Sequence, residues 1–181
     1  MGGFANSKVV LKFTDASIPL KVLFEGTSKD SIKTRKEHTL LHKLQYASPT
    51  KRNKAAFYVL RLPHCVEAIK IGRANIDIKA RLKGYYNAFG DSLLLYARTF
   101  EKNDPSITSI QPVNVFERKV INMIKEKNIP SLRGNEYFDV KYLKEIEQII
   151  INATLSQAEV AHPPKRIQPT RKRVLPKRLS D

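Results

Sequence analysis

Cysteine occurs once in this chain, as Cys65, and acidic residues number 17 against 33 lysines and arginines. A lone thiol excludes an intrachain disulfide, and nothing in the cysteine usage calls for an oxidising compartment. Cys65 lies in an apolar stretch and reads as a buried, inert thiol. No apolar run approaches the roughly 20 residues that a membrane-spanning helix needs. The opening MGGFANSKVV lacks the apolar centre of a secretory signal, and Asn6 stands where a myristoylation motif requires Ser or Thr. These absences predict an intracellular protein, cytoplasmic or nuclear, with no membrane partner. No internal repeat interrupts the chain.

What is plentiful is positive charge. The formal net charge is +16 over 181 residues. A small protein this basic is expected to meet a polyanion, usually nucleic acid, because neutralising phosphates releases counterions. A merely cationic soluble protein is the bland alternative. The excess is uneven. Residues 1–54 carry 11 Lys/Arg against 4 Asp/Glu, residues 55–155 carry 15 against 11, and residues 156–181 carry 7 against 2. A central part of ordinary charge is thus flanked by two basic arms, which suits a domain whose extensions hold a nucleic-acid backbone.

The length and the 41% hydrophobic content suit one compact domain with extensions. Residues 1–54 read as a basic N-terminal extension. KVVLKFTDASIPLKVLFEG predicts a hairpin turning at Thr14–Ser17, and SKDSIKTRKEHTLLHKLQY predicts an amphipathic helix. His38 and His42 stand four apart on that helix, a metal-compatible spacing, but no third ligand lies near them. Residues 156–181 hold Pro163, Pro164, Pro169 and Pro176 among basic clusters, which predicts an extended, flexible arm. Its Lys165, Arg166, Arg171, Lys172, Arg173, Lys177 and Arg178 are candidate phosphate contacts or a nuclear-import signal. A solubilising tail is the plain reading.

Residues 55–155 give the order β-β-α-β-α-(β)-α: AAFYVLRL, AIKIG, IDIKARLKGYYNAF, SLLLYARTF, VNVFERKVINMIKEKN, NEYFDV and KYLKEIEQIIINATL. The expected fold is α+β, a small antiparallel-type sheet flanked by helices. Several polar residues stand out within it. Tyr58 falls inside the first strand. Lys70 ends the second, where Gly72 allows close approach of chain or ligand. Arg81 and Tyr85 are four apart and share a helical face, and Glu117 stands in the first turn or two of the next helix. Arg73, Lys79 and Lys83 supply further cations for a nucleic acid. Each has a plain explanation: Tyr58 as core, Glu117 as a response to the helix dipole, Arg81 as a solvated face. Lys70 is harder to dismiss, because a lysine inside an Ile-x-Ile strand is desolvated without packing in return. A carboxylate for a metal, an arginine for a phosphate and a tyrosine for a water are also what phosphodiester hydrolysis requires.

In order and spacing these residues resemble the GIY-YIG endonuclease superfamily, in particular its small phage and large-DNA-virus branch with a Lys-Ile-Gly second signature. Ala56-Phe57-Tyr58 stands at the first signature and Lys70-Ile71-Gly72 at the second. Arg81 and Tyr85 stand at the family's arginine and following tyrosine, and Glu117 at its metal-binding glutamate. GNEYF, residues 134–138, resembles the Glu-aromatic-Phe ending of that branch, with Asn135 in place of a late asparagine. The match covers about residues 55–140. It departs at Ala56 and Phe57, and at Lys70, a lysine also seen in restriction-type members.

The resemblance implies a nuclease domain over residues 55–155, in a virus- or phage-encoded protein cutting double-stranded DNA. One Mg²⁺ or Mn²⁺ per active site would sit on Glu117. Tyr58, acidified by Lys70, would take a proton from water, Arg81 would hold the phosphate and Tyr85 would position the reacting groups. One such centre cuts one strand, so a duplex break would need a dimer or two successive nicks. Two other readings stay open: a non-catalytic DNA-binding or virion-associated protein that keeps the fold, and an RNA-binding structural protein. The last predicts that Glu117 has a salt-bridge partner instead of facing a groove.

Overall fold

The computed structural model describes residues 7–25, 43, 54–62, 67–75, 77–101 and 111–161. The expected helix over 28–46 with His38 and His42, the turn holding Cys65, and the tail cations from Lys165 to Arg178 lie outside these residues.

The described chain is an α+β fold built on one antiparallel sheet. Its strands are β1 (Ser7–Leu11), β2 (Ile18–Pro19), β3 (Lys54–Leu62), β4 (Ala68–Ala74), β5 (Leu93–Glu101), β6 (Ser131–Arg133) and β7 (Tyr137–Asp139). Its helices are α1 (Leu20–Glu25), α2 (Ile78–Phe89), α3 (Pro112–Glu126) and α4 (Leu143–Ala161), the last preceded by a 3-10 turn at Val140–Tyr142. The sheet runs β1-β5-β3-β4-β7-β6, with β2 also on β5.

Alternation along β3 and β4 sends side chains to two different cores. Phe57, Val59, Ile69 and Ile71 pack on one face against Phe116, Val120 and Ile124 of α3 and Ile146, Ile149 and Ile150 of α4. Ala56, Tyr58, Leu60 and Ala74 pack on the other against Leu20 of α1 and Ile78, Leu82 and Tyr85 of α2. Both faces are covered, so β3 reads as a nearly unbroken apolar run. Asp77 caps α2 by accepting from the Ala80 N–H at 3.0 Å. Pro112 stands in the first turn of α3, where a missing N–H costs nothing.

Two expectations change. The N-terminal run is no hairpin: β1 pairs with Ala97–Phe100 and β2 with Leu93–Leu94 on the same edge of β5. The chain makes a tight turn, with Asp15 accepting from the Lys12 N–H at 2.7 Å, and then resumes its direction. Burial of Leu11 and Leu20 holds both pieces to the sheet, and Pro19 is tolerated because it stands at an edge. At the other end, α4 continues to Ala161, past residue 155 where the domain was expected to end, since no proline stands between Leu143 and Pro163.

Candidate active site

The site forms where β4 runs out of neighbours. β7 pairs with it only through Ala68–Lys70, and the Ile71 N–H donates to the Glu136 carbonyl at 2.9 Å. That bond fixes the β6–β7 turn, Gly134-Asn135-Glu136, against β4; Gly134 takes φ +57°, which suits a three-residue hairpin loop. Beyond Ile71 no strand among the described residues pairs with the outer edge of β4. Lys70 and Gly72 point to the α2 face, and Arg73 points to the α3 face.

On the α2 face Tyr58 stands opposite Gly72 in register, and its ring lies over the glycine. A Cβ at Gly72 would come within 2.7 Å of the Tyr58 hydroxyl and 2.8 Å of Cζ. The Arg81 Nε–H donates to that hydroxyl at 3.3 Å, and the Tyr85 ring meets Tyr58 edge-on at 6.1 Å. Tyr58 is fully buried, so its ring has nowhere to retreat. Gly72→Ala is therefore expected to cost about 1–3 kcal/mol of stability by overpacking. The melting temperature should fall, and the Tyr58–Arg81 contact should open. An unchanged melting temperature would show that the ring does not rest on the glycine.

Burial raises the pKa of Tyr58 above the usual tyrosine value, while hydrogen bonds from Arg81 and Tyr85 pull the other way. Burial also pushes Tyr85 up, and the neighbouring Tyr58 oxygen pushes it further. Of the two tyrosines, Tyr58 is the one with donors aimed at its oxygen, although burial still outweighs them. The cation at that oxygen is Arg81. Lys70 was expected to fill that place, but it pairs with the Glu136 carboxylate and lies 4.5 Å from the centre of the Tyr137 ring.

Lys70 is only 1% exposed while Glu136 is 47% exposed. Burial holds the Lys70 ammonium below the usual lysine range, opposed by Glu136. A folded-state pKa below the unfolded one means that keeping Lys70 charged costs stability at neutral pH. That cost fades as pH rises through the folded value toward 10.5. Lys70→Met should therefore hold or raise stability at pH 7 by about 1 kcal/mol, because Glu136 can return to water. The advantage should shrink toward pH 10. Chemical denaturation across that range tests it, and a loss above about 2 kcal/mol at pH 7 would make Lys70 a structural residue.

Glu117 reaches the same place from the α3 face. It is 6% exposed and pairs with Arg73. A hollow of about 140 Å³ at this edge of β4 is lined by Gly72, Arg73, Asn75, Arg81, Glu117 and Glu136. Arg73, Glu117 and Glu136 also border a wider hollow of about 300 Å³, which runs along α3 past Asn114 and Arg118 and takes in Asn135. Helices from opposite faces thus present Arg81 and Glu117 around one strand edge. No group of three or more His, Cys, Asp or Glu lies together among the described residues. Glu117 and Glu136 nonetheless offer hard oxygen ligands. The Asn114 Oδ1, buried and without a hydrogen-bond partner among the described residues, adds a third oxygen nearby. One or two carboxylates plus a substrate phosphate is how Mg²⁺ is commonly held, so the residues fit such an ion.

The structure therefore brings Tyr58, Gly72, Arg81 and Tyr85 into one contact network, leaves Lys70 on Glu136 and Tyr137, and sets Glu117, Arg73 and Asn135 on the adjoining hollows. It does not bring Lys79 or Lys83 to either hollow; the Lys83 ammonium lies 5.5 Å from the Phe24 ring centre, toward α1. Glu136 was not singled out from the sequence, although a lysine buried in a strand signals that a counter-charge must exist. Asn114, Arg118, Asn122 and Lys125 were also passed over. Their signal is the polar stripe opposite the apolar spacing of α3.

No protein-family model, curated protein or solved structure matches this chain.

Proposed function

We propose that this chain is a divalent-metal-dependent DNA endonuclease of the GIY-YIG type, hydrolysing a phosphodiester with one metal ion. The observation that carries the reading is that Arg81, hydrogen-bonded to the buried Tyr58, and Glu117 line one hollow large enough for a phosphate at the edge of β4. Glu117 would hold the Mg²⁺ or Mn²⁺, with Glu136 and Asn114 beside it. When bound, the ion supplies polarisation of the phosphoryl oxygen and stabilisation of the leaving oxygen.

The protein's own groups do the rest. Arg81 is exposed toward the cleft and can grip a non-bridging phosphate oxygen while keeping its Nε on Tyr58. In its phenolate form the Tyr58 oxygen, held by Arg81 and Tyr85, would accept the proton that the attacking water loses as the new P–O bond forms and the bond to the leaving oxygen breaks. Lys70, paired with Glu136, would fix the β6–β7 turn that carries this carboxylate beside the hollow. The basic arms at either end would hold the duplex.

One observation favours a non-catalytic reading, in the first place the RNA-binding structural one that predicts a salt-bridge partner for Glu117. Arg73 is that partner, although Glu117 also lines the hollow, and a carboxylate kept only for that ion pair would need no metal. Supercoiled plasmid incubated with the purified protein and Mg²⁺, Mn²⁺ or a chelator separates the two. Nicking that depends on the metal is the expected result. A gel shift at low salt without any cutting, in either metal, would leave a DNA-binding protein.

A further inference from the structure

The wider hollow leads away from the reacting groups along a single face of α3. Asn114, Arg118, Asn122 and Lys125 follow one another at intervals of four, four and three residues, so they form a continuous stripe. The stripe begins one turn before Glu117 and continues past it. Arg118, Asn122 and Lys125 are exposed, and neither Arg118 nor Lys125 has an ion pair or side-chain hydrogen bond with any described residue. Glu126, the carboxylate nearest in sequence to Lys125, is likewise exposed and is not among the residues bordering the hollow.

Seven residues of helix separate the two cations, which is about 10 Å. A DNA strand advances about 3.4 Å per phosphate along its axis, so that interval matches about three nucleotide steps. The amides of Asn114 and Asn122, spaced between and beside the cations, can donate to phosphate oxygens or sugars without demanding a particular base.

We propose that this face of α3 is the track for one DNA strand leaving the active site, with Arg118 and Lys125 each neutralising a phosphate of the backbone. The inference rests on the endonuclease reading and adds the path of its substrate. It makes α3 a two-sided element: Phe116, Val120 and Ile124 hold it to the sheet, while the opposite stripe carries the nucleic acid. It also assigns the flanking contacts to α3 in place of the Lys79–Lys83 side of α2, which turns toward α1.

The test is fluorescence anisotropy with a labelled DNA duplex and the full-length protein, in chelator so that nothing is cut, over a series of salt concentrations. Arg118→Gln with Lys125→Gln should weaken binding and make the slope of log affinity against log salt shallower by about 1.8, the loss of two phosphate contacts. Lys79→Gln with Lys83→Gln removes the same charge from the side of α2 that turns toward α1, and should keep the wild-type slope. Both pairs are exposed, and circular dichroism checks that both variants fold. Equal slopes in wild type and the α3 variant, or equal losses in the two variants, would overturn the track while metal-dependent nicking by wild type kept the enzyme reading intact. A wild-type protein that neither bound nor nicked DNA would overturn both.

Discussion

Nicking of supercoiled DNA by the Glu117→Ala variant is expected to fall by about a thousandfold or more, equivalent to about 4 kcal/mol of transition-state stabilisation. DNA binding should persist and, at low salt, tighten. The two effects part company because of Arg73. In the wild type this arginine is held on Glu117, and the pair is nearly neutral at the mouth of the cleft. Removing the carboxylate removes the metal's anchor but leaves the half-exposed Arg73 with an unspent positive charge facing the phosphate path. Glu117→Gln keeps the volume of the side chain, and should lose activity to the same extent without a packing defect in α3. A simple stabilising ion pair predicts the reverse: activity retained in both variants and a drop in melting temperature. Equal residual cutting by wild type and variant would point to a contaminating nuclease.

Arg73 also shows where sequence reading reached its end. Its charge and its place after Lys-Ile-Gly suggested a nucleic-acid contact, and nothing local announced that its partner would come from a helix more than forty residues later. The parity of the strand was legible: Lys70 and Arg73 are three apart and must point to opposite faces. The helix faces were legible too, since Phe116, Val120 and Ile124 recur at the helical period. The partners were not. Glu136 reaches Lys70 from the β6–β7 turn, and Glu117 reaches Arg73 from α3, beside an edge of β4 that β7 pairs over only three residues. The same limit explains the N-terminus. SKVVL and the residues around Ile18 have strand-like composition, and a turn lies between them. Composition does not say whether two such runs pair with each other or both with a third strand eighty residues away. Here burial of Leu11 and Leu20 decides for the third strand. The β6–β7 turn had a local signal in Gly134, but its role as carrier of a carboxylate is a property of the sheet order.

Tyr58→Phe should leave the fold nearly untouched and remove the reaction's pH dependence. The ring that rests on Gly72 and meets Tyr85 is preserved, so packing on this face survives, and only the acceptor for Arg81 is lost. The rate is expected to fall by about 10²–10⁴, the usual range for losing a general base. The more telling readout is the profile. Because burial outweighs the donors at its oxygen, Tyr58 titrates above pH 10 in the free protein. Below that pKa the phenolate fraction grows tenfold per unit. Wild-type kcat/KM should therefore climb with a slope near one from pH 7 to about 10, with no plateau on the way. The phenylalanine variant should be flat over the same range. Tyr85→Phe supplies the control: it takes away one donor to the Tyr58 oxygen, so the rate drops while the slope remains. A wild-type plateau below pH 9 would assign the proton to some other group, and Tyr58 would then be a residue that positions Arg81 for the phosphate.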